Sequence, residues 1–260
     1  MTTIFHLSDW HQRNDGFDQQ LDFEIRSQQL GEPDLIIVTG DMLWNFAPAR
    51  SRQVGRDAYE ERRQLVHYQH FIDRLEAVWP GVDIFAVRGN HDWCDYEIKG
   101  HVRAFDALEG GTYLWNGLKI YGFRGIPEHY GNWNDEYNKR ALDALCDLVP
   151  GDTDILITHC PPEGILDDVH DSYCFICGNR LNKNGTCIQT HIYDPAHPAP
   201  VIVPKNIGSS SVRALVEKLP KLKAHFFGHV HECGGRVETR NFGHTVIFSN
   251  ASCTLNKVVL

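Results

Sequence analysis

No stretch of this 260-residue sequence approaches the ~18 consecutive apolar residues that a membrane span requires, so no membrane partner is expected. A basic stretch leading into an apolar segment is also missing at the start. Strand-like residues begin at once, no leader peptide is read, and the cytoplasm is the expected location. There is no basic excess either, since the formal net charge is −9. That argues against a binder of nucleic acid polymers, which carries a basic footprint. Anionic substrates are not excluded, because acidic ligands that gather divalent cations become a locally positive site. Neither an internal repeat nor an interdomain linker is evident. The chain reads as a single domain over 1–260 with one insertion, and the sequence leaves its oligomeric state open.

What is present is histidine and clustered cysteine: fifteen of the first and eight of the second. In a reducing compartment, clustered cysteines point to metal rather than to disulfides. Short runs rich in β-branched and aromatic residues predict strands at 2–7, 34–40, 82–89, 111–117, 118–123, 154–159, 223–228, 235–240, 244–249 and 257–260. Between 57 and 79, Leu65, Tyr68, Ile72, Leu75 and Trp79 recur at helical spacing, and Pro80-Gly81 stops that helix. Weaker helical patterns cover 18–30, 101–109, 135–148 and 210–219. The first half alternates strand and helix, as α/β folds do. The last strands follow one another directly and predict antiparallel pairing. From 168 to 208 no periodicity is visible.

Metal-competent side chains recur where apolar runs stop. "IFHLSDWH" ends on Asp9 and His11, "IIVTGD" on Asp41, and "FAVRGNHD" on Asn90, His91 and Asp92. "ILITH" ends on His159, and "HFFGHVH" on His229 and His231. Residues i and i+2 of a strand share a face, so Asp9 and His11 can converge on one point. Open α/β sheets bind ligands just beyond the carboxyl ends of their strands. Taken singly, each of these has a plain structural reading as a turn cap or a core histidine. Five at the same structural position read as a metal centre.

The series Asp9-x-His11, Gly40-Asp41, Gly89-Asn90-His91-Asp92, His159 and Gly228-His229-x-His231 resembles the calcineurin-like metallophosphoesterase superfamily, in that family's order. "THCPPEGILD", "FGHVHECGG" and "IFSNASC" are similar to its metallophosphoesterase-domain (MPPED-like) branch. The resemblance implies a four-layer αββα sandwich of two mixed sheets flanked by helices. It implies that Asp9, His11 and His231 hold one divalent cation, that Asn90, His159 and His229 hold a second, and that Asp41 bridges them. Mixed Asp, His and Asn ligation suits Mn, Fe, Zn, Co or Ni. Such a pair, ~3.5–4 Å apart, can hold phosphate oxygens while a bridging hydroxide attacks phosphorus in line. His91 is implied as the proton donor to the leaving oxygen, with Asp92 beside it. Asn90 and Arg88 are implied as substrate contacts, with Arg124 and Arg13 as weaker candidates; a salt bridge is the plain reading of Arg88, and solvated surface that of the other two.

That branch is associated with phosphodiester hydrolysis, including that of cyclic nucleotides, so a small phosphorylated substrate is expected. The alternatives are a phosphomonoesterase or protein phosphatase, and a metal-dependent nuclease. After Gly40-Asp41 the chain reads "MLWNFAP", without the Asp-Arg-Gly of protein phosphatases, which disfavours that alternative. Within the 168–208 insertion, Cys174-x2-Cys177-Gly and Cys187-x3-His191 have the spacing of a structural zinc site. His170 and His197 are rival fourth ligands.

Overall fold

The computed structural model describes residues 1–43, 56–95, 100–105, 111–128, 133–173 and 201–260, without side chains at 56–60, 170–173 and 201–204. The chain opens with β1 (Thr3–Ser8), α1 (Asn14–Gln28), β2 (Leu35–Val38), α2 (Arg56–Val78), β3 (Asp83–Ala86) and β4 (Val102–Ala104). It continues through β5 (Gly111–Trp115), β6 (Leu118–Gly122), β7 (Ile126–Pro127), β8 (Glu136–Tyr137), α3 (Lys139–Asp147) and β9 (Ile155–Ile157). Next come β10 (Asp168–Tyr173), β11 (Val201–Asn206), α4 (Ser210–Lys218), β12 (Ala224–Phe227), β13 (Arg236–Asn241), β14 (Thr245–Asn250) and β15 (Thr254–Val259).

Alternation along β1 explains the layers, because successive side chains point to opposite faces. Phe5 and Leu7 pack with Ile36, Val38 and Ile84 under Leu21 of α1 and Phe71 and Leu75 of α2. Ile4 points the other way, with Leu35, Ile37 and Phe85, onto Ile155, Ile157 and Phe226 of the second sheet. That sheet's outer face, Leu156, Phe227 and Phe248, is covered by Leu142 and Leu145 of α3 and Val212 and Val216 of α4. The expected αββα sandwich is present. Its first sheet runs β15-β1-β2-β3-β4 and its second β13-β14-β12-β9-β6-β5.

Inside the first sheet β1 to β4 are parallel, and β15 closes one edge antiparallel to β1. In the second, β14, β12, β9 and β6 are parallel. His6 joins the two layers: its Nδ1 lies 2.8 Å from Ser249 Oγ of β14, and its Nε2 lies 2.9 Å from Thr39 Oγ1.

Some expectations need correction. Residues 102–104 are a strand, not a helix, because Val102 to Ala104 pair with Ile84 to Ala86 and Val102 enters the core. The helix read from 135 begins at Lys139, since Glu136 and Tyr137 pair with β7 and Asn138 caps the helix by accepting from Ala141 N. β13 and β14 pair antiparallel as expected, but β15 leaves for the other sheet. The insertion carries regular structure in its arms, where β10 and β11 pair from Asp168↔Asn206 to Tyr173↔Val201. Cys174, Cys177, Cys187, His191, His197 and the side chain of His170 lie outside the described residues.

Candidate metal centre

Five parallel strands, β1, β2 and β3 of one sheet and β9 and β12 of the other, end on the same side, and the residues that follow them meet there. The turns are sharp. Asp9, His11, Asp41 and His229 all have positive φ, at 56°, 49°, 54° and 70°. Non-glycine residues rarely adopt that region, and such conformations gather at functional sites. Two glycines make room for the carboxylates. A Cβ on Gly89 would collide with the Asp41 side chain, and one on Gly228 with Ser8 Oγ and the Asp9 carboxylate.

Asp9 and Asp41 are both almost wholly buried. Asp9 Oδ2 accepts from Ser8 Oγ at 2.5 Å, Ser252 Oγ at 3.0 Å and the His229 backbone N–H at 2.8 Å. Its Oδ1 lies 3.2 Å from His231 Nε2. Asp41 Oδ1 accepts from the His91 backbone N–H at 2.7 Å, and Oδ2 lies 3.3 Å from His159 Nε2. Burial alone would raise both carboxyls. Bonding from His231 and the charge of His159 win for Asp9, as His159 and His91 do for Asp41, and both acids lie below the usual carboxylate range.

Two of the histidines, His159 and His231, report the same demand for positive charge, and His229 does not. Burial disfavours the His159 imidazolium, yet Asp41 pushes its pKa up to about 9. The hydrogen bond to Asp9 lifts His231 to about 11. Burial and then the neighbouring His159 push His229 down to about 3. Donor atoms of Asp9, His11 and His231 lie within 4.8 Å of one another, as do those of Asp9, Asp41 and His159. His159 Nδ1 sits 2.6 Å from the Thr39 carbonyl, which can only accept. In the neutral ring Nε2 then carries a lone pair, yet it faces two oxygens, Asn90 Oδ1 at 3.0 Å and Asp41 Oδ2 at 3.3 Å, and only a proton or a cation between them satisfies that arrangement. A donor set of two carboxylates, an amide oxygen and convergent imidazoles fits divalent cations.

The other expected site residues fall into two groups. The His91 ring reaches the centre, 4.8 Å from the His11 ring, and one of its nitrogens lies within 4.8 Å of donors on His11 and Asp41. Its backbone carbonyl accepts from Gln64 Nε2 of α2 at 2.8 Å. Asp92 braces the neighbouring backbone: its Oδ2 accepts from the Asp41 and Gly89 backbone N–H groups at 2.7 and 2.9 Å. Arg88 and Arg124 sit in an ionic network. Both contact Asp135, at 3.1 and 3.2 Å, and both contact Asp95 Oδ1, at 2.7 and 3.2 Å.

Sequence reasoning missed Ser8, Ser252, Gln64 and Trp133. The first two flank the centre and donate to Asp9. Trp133 lies tilted over His91 with ring centroids 4.1 Å apart. It helps to line a cavity of about 150 Å³ next to the centre.

A family model described as calcineurin-like phosphoesterase matches residues 2–233. A UPF0046 protein of Caenorhabditis elegans is 26% identical over 166 residues, 61% of this chain and 33% of that protein. The human metallophosphoesterase domain-containing protein 1 is 26% identical over 149 residues, 57% of this chain and 35% of that protein. The chain thus matches about a third of the length of these curated relatives. The solved structure of a dimetal phosphatase from Danio rerio is 12% identical, with a TM-score of 0.46 over 97% of this chain and 88% of that one.

Proposed function

The chain belongs to the calcineurin-like phosphoesterase family, and on that premise we propose that it hydrolyses small phosphodiesters at a centre built for two divalent cations. The observation that carries this reading is the pair of buried carboxylates, Asp9 and Asp41, each meeting histidine nitrogens at the confluence of two sheets. Asp9, His11 and His231 would hold one cation, and Asn90, His159 and His229 the other, with Asp41 shared between them. When bound, such a pair supplies Lewis-acid charge for phosphoryl oxygens and generates a nucleophile from water near neutral pH.

The remaining work falls to the chain's own groups. Asp92 holds the Asp41 backbone, and through it the shared carboxylate. His91, carried on the turn that Gln64 anchors, would deliver a proton to the leaving oxygen. Arg88 and Arg124, tied to Asp135 and sharing Asp95, would meet a substrate oxygen with their remaining N–H groups. The compact cavity beside His91 favours a small ester over a polymer, and a net charge of −9 repels polyanions outside the centre. The 168–208 insertion is proposed to hold a separate structural zinc on Cys174, Cys177, Cys187 and one of His170, His191 and His197. Pairing of Tyr173 with Val201 brings the two ends of the cysteine-bearing segment together.

Kinetics with bis-p-nitrophenyl phosphate and p-nitrophenyl phosphate test the function. The protein is stripped with chelator and then titrated with Mn, Fe, Co, Ni or Zn. The expected result is cation-dependent hydrolysis with a higher kcat/KM for the diester. A higher kcat/KM for the monoester would move the assignment to a phosphomonoesterase.

A further inference from the structure

The cavity beside the metal centre has two unlike walls. One is polar: Asn90, His91 and His229. The other is apolar, and its residues come from outside the ligand-bearing strand ends: Ile126 and Pro127 of β7, Trp133 before β8, and Ile207 directly after β11. Nothing in phosphoryl chemistry calls for that second wall. Two carboxylates and a set of imidazoles handle charge, whereas an indole, a proline ring and two isoleucines handle a group without it.

The wall is also fixed in place. Trp133 is half-buried, and its backbone N–H reaches Glu136 Oε2 at 3.5 Å. The next residue, Asn134, donates from its backbone to the Asn90 carbonyl at 3.1 Å and from Nδ2 to the Asp92 carbonyl at 2.8 Å. The indole is therefore tethered to the turn that carries His91. In the same wall, Ile207 donates to the Asp167 carbonyl at 3.3 Å, and Gly208 N–H donates to the buried Asp167 carboxylate at 2.9 Å. The root of the β10–β11 excursion thus reaches the cavity.

We propose that Trp133 and Ile207, with Ile126 and Pro127, form a subsite for a planar apolar group, an aromatic ring or a nucleobase, attached to the scissile phosphate. The inference rests on the phosphoesterase reading and adds the part of the substrate that the metal centre does not recognise. A flat ring placed there stacks along the indole beside His91, so the same geometry selects the substrate and sets its leaving oxygen near the proton donor. Offset aromatic contact contributes beyond the burial of area, and an aliphatic ester loses that contribution.

Binding separates this claim from the claim of catalysis. Phenylphosphonate and methylphosphonate are titrated calorimetrically into the cation-loaded protein, with elemental analysis of every variant. Wild type is expected to bind the phenyl compound more tightly. Trp133→Ala should weaken phenylphosphonate by roughly tenfold and leave methylphosphonate within about twofold, with unchanged metal content. Trp133→Phe should retain the preference, and Ile207→Ala, in the same apolar wall, should erode it. Equal affinity of wild type for the two phosphonates, or an equal loss of both in Trp133→Ala, overturns the subsite. A failure to hydrolyse any phosphoester would instead remove the catalytic reading, which the phosphonate ratio does not measure.

Discussion

His159 Nδ1 bonds to the Thr39 carbonyl at 2.6 Å, linking the end of β9 in one sheet to the end of β2 in the other. Because a carbonyl only accepts, the bond fixes which imidazole nitrogen carries the proton and turns Nε2 toward Asn90 and Asp41. His159→Ala should therefore cost one cation and spare its neighbour, since Asp9, His11 and His231 remain. Metal analysis after dialysis would show about one equivalent lost, with activity reduced at least 10²-fold. Full retention of both cations would remove His159 from the ligand set.

His91→Ala is expected to lower turnover by ~10²–10⁴-fold, the usual worth of general acid catalysis. Metal content should stay intact, although one ring nitrogen lies within reach of the donors on His11 and Asp41. The deficit should shrink for aryl leaving groups of low pKa, which need little protonation. Loss of a cation in this variant would make His91 a ligand, and equal losses across a leaving-group series would count against the proton transfer.

Cys174→Ser and Cys177→Ser should each release one zinc distinct from the catalytic pair and expose the insertion to protease, because structural zinc couples binding to local folding. Hydrolysis per catalytic metal pair should survive. If both variants keep all their zinc and their protease resistance, the insertion holds no such site.

Acid should weaken the fold through the sheet interface. Burial pushes His6 down to about 3, and burial followed by its neighbour His6 does the same to His225. Both are fully buried; His225 bonds through Nε2 to Thr158 Oγ1 at 2.8 Å. In the unfolded chain each would bind a proton below its ordinary value of 6.5. The stability from the neutral rings is thus present above that value and is lost as pH falls toward about 3. Denaturant unfolding at a series of pH values should show His6→Gln cutting the slope by about 1.4 kcal/mol per pH unit in that window. An unchanged slope would mean that His6 takes up its proton without unfolding.

The turns that carry the Asp and His cluster were legible because each combines an apolar strand with an abrupt polar stop, and a glycine precedes three of them at a close approach. Pairing beyond a single strand was not. Val102 to Ala104 look helical in isolation and become a strand only because β3 offers them a parallel edge. β10 and β11 hold each other through backbone bonds, so polar Asp168, His170 and Asp171 and Pro204 carry no alternation to read. The braces Ser8, Ser252 and Gln64 escaped for a similar reason: a serine or glutamine acquires its role from the carboxylate or backbone group that folding sets beside it. Trp133 belongs to neither a ligand motif nor a periodic run, and only its place over His91 reveals it.

The Asp41 carboxylate, proposed as shared between the two cations, offers the most direct measurement. Wild type and Asp41→Asn are stripped with chelator and titrated with one cation, while bound equivalents and bis-p-nitrophenyl phosphate hydrolysis are followed together. Wild type should bind two equivalents at the centre, with hydrolysis rising as the second is taken up. Asp41→Asn should weaken both equivalents and lose hydrolysis with them, because its carboxylate lies within reach of nitrogens on His159, His11 and His91. Unchanged binding of both equivalents and unchanged hydrolysis in Asp41→Asn would contradict a centre organised around that residue.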